Sequence, residues 1–406
     1  MNVEELISDA FREQAADTMP APPHFADRVL AVRRRRRTRR LVSVAAATVT
    51  AVAVAVAGPR LSTGRDDVRP ASELNHNDVI GHPDQSPPRT LIAAGDTVLS
   101  AFYVTKAVEQ PNGDDVLTRT YGLLDQKTGV YKKTRWAFLD VAPGSRTAAV
   151  LEGELPARRI GLLDLITGRV DRWIKTDRGV ASVAFSPDGT KLVATTYAKN
   201  PDRMFADHKQ DIDGKEVPGP VPSRTGFTVV DVDSGKSDWH KAPHPTDETG
   251  WFGNARADFA FSHDGTLVYA ETPMKPFRDY YSLDGDRADW PADEKGRASA
   301  KAGLSPDGKL LAGEFAGYGA TIAAAILDPH THRQITTVPV QQLLAWADNK
   351  RLIAWGCDPK KCDGKGEFHN QLLLVTVGTN KVVPLSGFRK ASADYPGRWT
   401  PIFSKR

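Results

Sequence analysis

Residues 180–197 read VASVAFSPDGTKLVATTY. Apolar and small residues alternate up to Ser186 and resume after Thr190, the period-two pattern of half-buried strands. Between them Pro187 fixes φ, Asp188 can bond its own backbone, and Gly189 can take positive φ. The stretch therefore predicts a β-hairpin closed by a tight turn. DFAFSHDGTLVYAET at 258–272 and KAGLSPDGKLLAGEF at 301–315 repeat it, and APGS at 142–145 is a weaker relative of the turn. A second turn follows each hairpin: LLDQKTG at 123–129, LLDLITG at 162–168, VVDVDSG at 229–235 and the degenerate ILDPHTH at 326–332. A tryptophan comes shortly after that turn at Trp136, Trp173, Trp239 and Trp290.

Two hairpins per unit make four strands, and a period of about 40–50 residues with four short strands is the signature of propeller blades. A single four-stranded sheet cannot bury both faces, whereas a ring of sheets buries them against one another. The expected fold class is all-β, a propeller of six blades at 89–136, 137–178, 179–242, 256–291, 299–339 and 341–388. The tail GRWTPIFSKR at 397–406 has strand character and is placed to pair with the start of the domain. A seventh, incomplete blade built from both ends is the alternative.

Upstream of residue 89 the chain changes character. Val3, Leu6, Ile7, Ala10 and Phe11 fall at helical spacing, with Glu4, Glu5, Asp9 and Glu13 on the other face. MPAPP at 19–23 ends that helix. RRRRRTRR at 33–40 then precedes LVSVAAATVTAVAVAVAG at 41–58, which carries no charge. As a helix this run is about 27 Å long, close to the hydrocarbon thickness of a bilayer. Ala55-Val56-Ala57 resembles a signal-peptidase site, but a patterned segment of some forty residues before the apolar run favours an uncleaved anchor. Arginines flank membrane helices on the cytoplasmic side, so the N-terminus is expected inside and the C-terminal domain outside. Residues 59–88 lack a hydrophobic period and read as a tether. The amphipathic stripe has no core of its own, so 1–32 is expected to dock into a groove of a cytoplasmic protein, with Phe11 and Leu6 contributing most.

The chain has 406 residues, a formal charge of +4 and two cysteines, Cys357 and Cys362 in CDPKKC. No further ligands at zinc spacing accompany them. On the oxidising side of a membrane a loop-closing disulfide is expected.

The SPDG hairpins followed by LLD-x-x-TG turns resemble WD-repeat-like and TolB-type propellers over some 300 residues, a resemblance that implies fold rather than activity. The layout, with AFREQAAD and PHFADRVLAVRRRRR before an Ala/Val anchor, also resembles actinobacterial membrane proteins that act beside extracytoplasmic-function sigma factors. That resemblance implies a cytoplasmic regulator such as a sigma factor as partner. The HxxxCxxC zinc motif of many anti-sigma factors is absent, and His24 stands without a cysteine.

Both kinds of turn lie at one end of the units, so the variable loops between hairpins emerge at the other. These loops are 105–116, 152–159, 198–226, 272–279 and 356–370. Function concentrates on variable loops held by a rigid scaffold. Arg158, Arg203, Lys209, Lys275, Arg278 and Lys360 are the candidate contacts of that face. DIDGKE at 211–216 lacks calcium ligands, with Lys209 at the first position, and His330 and His332 flank a turn. There is no GxSxG elbow and no GxxxxGK[ST] loop, so no cofactor or metal is expected. Aromatic and basic residues do not interleave along the chain, which argues against nucleic acid. The expected function is a non-enzymatic binding or sensing module for a protein, glycan or cell-wall ligand. A lyase or hydrolase with a central-channel site, and a scaffold of an envelope complex, are the alternatives.

Overall fold

The computed structural model describes residues 75, 77–212, 214–243, 256–272, 278–291, 301–317, 322–358, 361–362, 370–389 and 398–406. The N-terminal stripe with Val3, Leu6, Ile7 and Phe11, the arginine block, the apolar run, Lys275 and Lys360 lie outside the described residues. Within them every regular element is a strand, and no helix is long and apolar enough to cross a membrane.

The strands form antiparallel meanders in chain order. In the first, Trp399–Lys405 pairs with Thr97–Glu109, which pairs with Asp115–Asp125 and then Val130–Lys133. The tail thus joins the beginning of the domain, with Trp399 opposite Val104 and Lys405 opposite Thr97. A seven-stranded sheet holds two meanders fused through Arg169–Phe185. The first half of that strand pairs with Ala157–Asp164 and the second half with Lys191–Tyr197. Phe259–Phe261, Leu267–Glu271, Arg278–Ser282 and Arg287–Ala288 make the next sheet. Leu311–Phe315, Ala324–Leu327 and Gln334–Val338 follow, with Leu304 bridging to Leu311. Gln342–Trp346, Arg351–Gly356, Gln371–Thr376 and Val382–Pro384 complete the series.

Buried cores join the first meander to the second, the second to the third, the third to the fourth and the fifth to the sixth. Tyr121 and Leu123 of the first meander pack with Leu139, Val150 and Leu163 of the second. Leu151 and Ile160 pack with Val183 and Leu192. Val193 and Phe227 pack with Phe259, Val268 and Tyr281. Ile326 meets Leu343, Leu352 and Leu373. The last sheet returns to the first, where Leu344, Ile353 and Trp355 pack with Leu99, Phe102 and Trp399. Each fully buried side chain of this size contributes about 1.5–3 kcal/mol by leaving water. Four-stranded meanders packed face to face, the last against the first, are β-propeller architecture.

The turn chemistry explains the repeat. Gly189, Gly265 and Gly308 have φ of 75°, 74° and 70°. The preceding serine hydroxyl donates to the turn aspartate, at 2.5 Å from Ser186 to Asp188 and 2.7 Å from Ser262 to Asp264. The serine also accepts the amide that restarts the chain, from Lys191 at 2.9 Å and Leu267 at 3.0 Å. Successive turns also touch, because a Cβ on Gly189 would lie 3.3 Å from the ring of Pro143, and one on Gly265 would lie 3.2 Å from that of Pro187. In the second turn, Asp164 Oδ1 accepts the amides of Ile166 at 2.6 Å and Thr167 at 2.7 Å. The degenerate turn keeps the geometry with His332 in the left-handed position, at φ 55°.

Two expectations are corrected here. The packed domain begins before residue 89. Val79–Ile80 pairs with Ala93–Ala94, Val79 is buried, and the Gln85 side chain accepts the amides of Arg89 and Thr90 at 2.7 and 3.1 Å. Such two-residue pairings are too short to show a period. The stretch 198–226 is also more than a loop: Arg203–Ile212 and Lys215–Pro220 form a hairpin, with Gly214 at φ 75° between the two strands.

Candidate functional site

At the long-loop end, two hairpins from different meanders join. Thr97–Glu109 and Asp115–Asp125 extend beyond the first meander, and Arg203 and Met204 pair with Val116 and Asp115. The result is an arm that passes from the third meander to the first. Its anchor is electrostatic. Asp114 accepts Arg203 Nη1 at 2.9 Å, the Ala206 amide at 2.9 Å and Asn112 Nδ2 at 3.0 Å.

Behind the arm lies a buried carboxylate held by two guanidinium groups. Asp202 accepts Arg119 Nη1 at 2.5 Å and Nη2 at 2.9 Å. It also accepts Arg256 Nε at 2.9 Å and Nη2 at 2.6 Å. Arg256 Nη1 reaches Asp258 at 2.6 Å, whose other oxygen accepts the Tyr197 hydroxyl at 2.8 Å. The Phe138 ring packs against both cations, with its centre 5.8 Å from Arg119 and 5.3 Å from Arg256. Burial raises the Asp202 carboxyl, but the hydrogen bonds from Arg119 and Arg256 outweigh it and hold the group below the usual carboxylate range.

A cavity of about 380 Å³ opens between the arm and the top of the second meander. The arm and the first meander contribute Gln110, Thr118 and Arg119, the 198–226 segment contributes Asn200 and Arg203, and Trp136 and Glu154 form the opposite wall. A second cavity, of about 400 Å³, lies alongside and is lined by Arg158, Asp177, Arg178 and Tyr197. Consecutive residues line the two, Gly153 to Leu155 the first and Pro156 and Arg158 the second.

The candidate face residues divide. Arg203 lines the first cavity and Arg158 the second. Lys209 is exposed on the hairpin and pairs with Glu216 at 2.8 Å. The expectation for Arg278 does not hold: it is buried at the start of a strand, with its guanidinium 4.4 Å from the Tyr269 ring centre. The Cα atoms of Cys357 and Cys362 are 6.0 Å apart, within disulfide span.

Arginines do interleave with aromatics, across strands rather than along them. Arg159 lies 4.1 Å from the ring centre of Trp173, Arg178 4.6 Å from that of Trp239, and Arg135 5.7 Å from that of Trp136. No linear pattern reveals this, because two of the three pairs join different strands.

Toward the interior, Asp140 on Phe138–Val141 accepts the Phe185 amide at 2.8 Å, tying together the leading strand of the second meander and the end of Arg169–Phe185. Burial pushes its carboxyl up to about 6, only partly offset by the amides of Phe185 and Val141. The folded state therefore binds the proton more tightly than the unfolded chain, whose carboxyl titrates near 4. Asp140 lowers stability as pH rises from about 4 to about 6, by up to about 3 kcal/mol above that window. Asp140→Asn keeps an acceptor for Phe185 and is expected to raise the melting temperature at pH 7.5 but not at pH 4. An equal shift at both pH values would contradict this titration. Among the described residues no group of three or more His, Cys, Asp or Glu is placed to hold a metal ion.

No protein-family model matches the chain, and no curated protein matches it. Among solved structures it is similar to TolB from Acinetobacter baumannii, at 15% identity over 77% of this chain and 68% of that one, with a TM-score of 0.40. It is also similar to the β-propeller domain of Cps50 (Swd1) from Myceliophteria thermophila, at 14% identity over 73% and 86% of the two chains, with a TM-score of 0.35. Hydrazine synthase of Kuenenia stuttgartiensis gives 12% identity over 63% and 69%, with a TM-score of 0.32.

Proposed function

We propose that this chain is a single-pass membrane protein that carries a six-bladed propeller outside the cytoplasm. The propeller acts as a non-enzymatic binding or sensing module, and the segment 1–32 engages a cytoplasmic regulator such as a sigma factor. The orientation rests on RRRRRTRR directly before an uncharged run of residues 41–58. The blade count rests on six consecutive meanders, two of them sharing one strand, with the tail closing the first.

The observation that carries the binding role is the cavity of about 380 Å³ walled by loops from three meanders. Its floor is buttressed by Asp202, whose side chain is only 5% exposed and whose oxygens are all engaged by Arg119 and Arg256. Such a wall is rigid before any ligand arrives, which lowers the entropic cost of binding. A photo-crosslinking residue at Gln110, on the loop face, is expected to capture a partner in intact cells. The same residue at Lys309, on the turn face, is expected to capture none. Equal capture from both would remove the loop face as the binding surface.

The two cysteines form a disulfide in this reading, as the outside location favours. Protein isolated with thiol-blocking reagent is expected to show Cys357 and Cys362 unalkylated by mass spectrometry. Two alkylated thiols would rule out the bridge.

A further inference from the structure

We propose that the two adjoining cavities form one binding track for a linear, phosphodiester-bearing glycopolymer, contacted by Arg135, Arg158 and Arg178. The proposal rests on the reading of the loop face as the binding surface and names its ligand class.

All three arginines are exposed, and among the described residues none has a carboxylate partner. Each is nonetheless held in place. Arg178 lies 4.6 Å from the ring centre of Trp239, Arg135 lies 5.7 Å from that of Trp136, and Arg158 Nη1 donates to the Asp177 carbonyl at 3.1 Å. A guanidinium resting on an aromatic face keeps its in-plane N–H donors for a ligand and loses little freedom on binding. Planar forks of this kind match phosphate oxygens in bidentate fashion.

The charge is sparse. The first cavity sets Arg119, Arg135 and Arg203 against Glu154 and Asp202, and the second sets Arg158 and Arg178 against Asp177. Each lining therefore keeps one excess cation. Duplex DNA presents a negative charge about every 1.7 Å and would meet the acids as well as the arginines. A polymer with one phosphodiester per repeat and hydroxyls between fits better. Gln110, Thr118 and Asn200 supply amide and hydroxyl partners for those hydroxyls. The two linings follow one another along the chain, Gly153 to Leu155 in the first cavity and Pro156 and Arg158 in the second, which sets the cavities next to each other for one extended polymer.

The test uses the full chain in detergent micelles and end-labelled poly(glycerol phosphate) as probe. Dextran, polygalacturonate and a single-stranded DNA oligonucleotide are the comparators. Poly(glycerol phosphate) is expected to bind most tightly, with affinity falling as salt rises from 50 to 200 mM, as counterion release requires. Arg135→Gln/Arg158→Gln/Arg178→Gln is expected to lose at least about tenfold in affinity with an unchanged melting temperature, as for three charge-assisted contacts. Lys127→Gln/Lys236→Gln/Lys309→Gln removes equal charge from the turn face and is expected to bind as wild type. Undiminished binding by the arginine variant overturns the proposal. So does binding of polygalacturonate or DNA as tight as that of the phosphodiester, since the surface would then be counting charge alone. If Gln110 captures a partner in cells while the polymer fails to bind, the ligand class is wrong and the loop face stands. If neither occurs, both readings fall.

Discussion

Asp202→Ala is expected to destabilise the propeller by about 3–5 kcal/mol at pH 7, the cost of stranding buried charge. The carboxylate is 5% exposed, and the guanidinium groups it holds are 9% exposed at Arg119 and 11% at Arg256. After substitution Arg256 keeps Asp258, whereas Arg119 is left without a carboxylate among the described residues. Its charge would then be stranded between Tyr103 and Phe138. Asp202→Asn preserves shape and some acceptor capacity and is expected to fall between wild type and alanine. The pH dependence follows from the lowered folded-state carboxyl: its contribution is complete above the unfolded value near 4 and is lost as pH falls through the folded value. The alanine penalty is therefore expected at pH 7 and should shrink at pH 3. Urea unfolding at the two pH values measures it. A loss below 1 kcal/mol at pH 7 would mean that the clamp does not hold the arm. Hydrogen exchange gives a local readout, since the amides of Arg203–Ile212 should exchange faster in the variant.

Trp399→Ala is expected to cost a similar 3–5 kcal/mol, through lost burial and the cavity left behind. Trp399 is 1% exposed. Its indole packs edge-on against Trp355 at 4.9 Å and Phe102 at 5.9 Å between centroids, and its Nε1 donates to Ser86 Oγ at 3.0 Å. These partners come from the last sheet, the first sheet and the segment that enters the domain, so one side chain pins the closure of the ring. Trp399→Phe keeps most of the area and loses the Ser86 bond, and should recover more than half of the loss. A calorimetric melting temperature for Trp399→Ala within a degree of wild type would show that closure does not depend on this residue.

What could be read from the chain divides along physical lines. The SPDG and D-x-x-TG turns were legible because their chemistry is local: Ser186, Asp188 and Gly189 close a loop among themselves. The pairing of the tail was legible because Trp399, Thr400, Ile402 and Phe403 are aromatic and β-branched residues that favour strands. The clamp was not. Arg119 and Asp202 are separated by 83 residues and Asp202 and Arg256 by 54, and a carboxylate in a long polar loop looks like any other. The hairpin inside 198–226 was hidden by Pro218 and Pro220 at its edge, residues that usually speak against a strand. Arg278 begins the strand Arg278–Ser282, and nothing in TPMKPFRD marks where loop gives way to strand. The stacking of Arg159 on Trp173 and Arg178 on Trp239 depends on strand register, which no linear pattern carries.

The pairing of Trp399–Lys405 with Thr97–Glu109 sets an order of events during synthesis. Ser100 and Ser404 touch through their hydroxyls although 304 residues separate them. One edge of Thr97–Glu109 stays without its partner until residues 399–405 have been made. Contacts so distant in sequence form slowly, because the chain between them must first be confined. An emerging N-terminal edge is meanwhile open to pairing with a neighbour. A premature stop anywhere before residue 399 therefore yields a chain that never seals its first sheet.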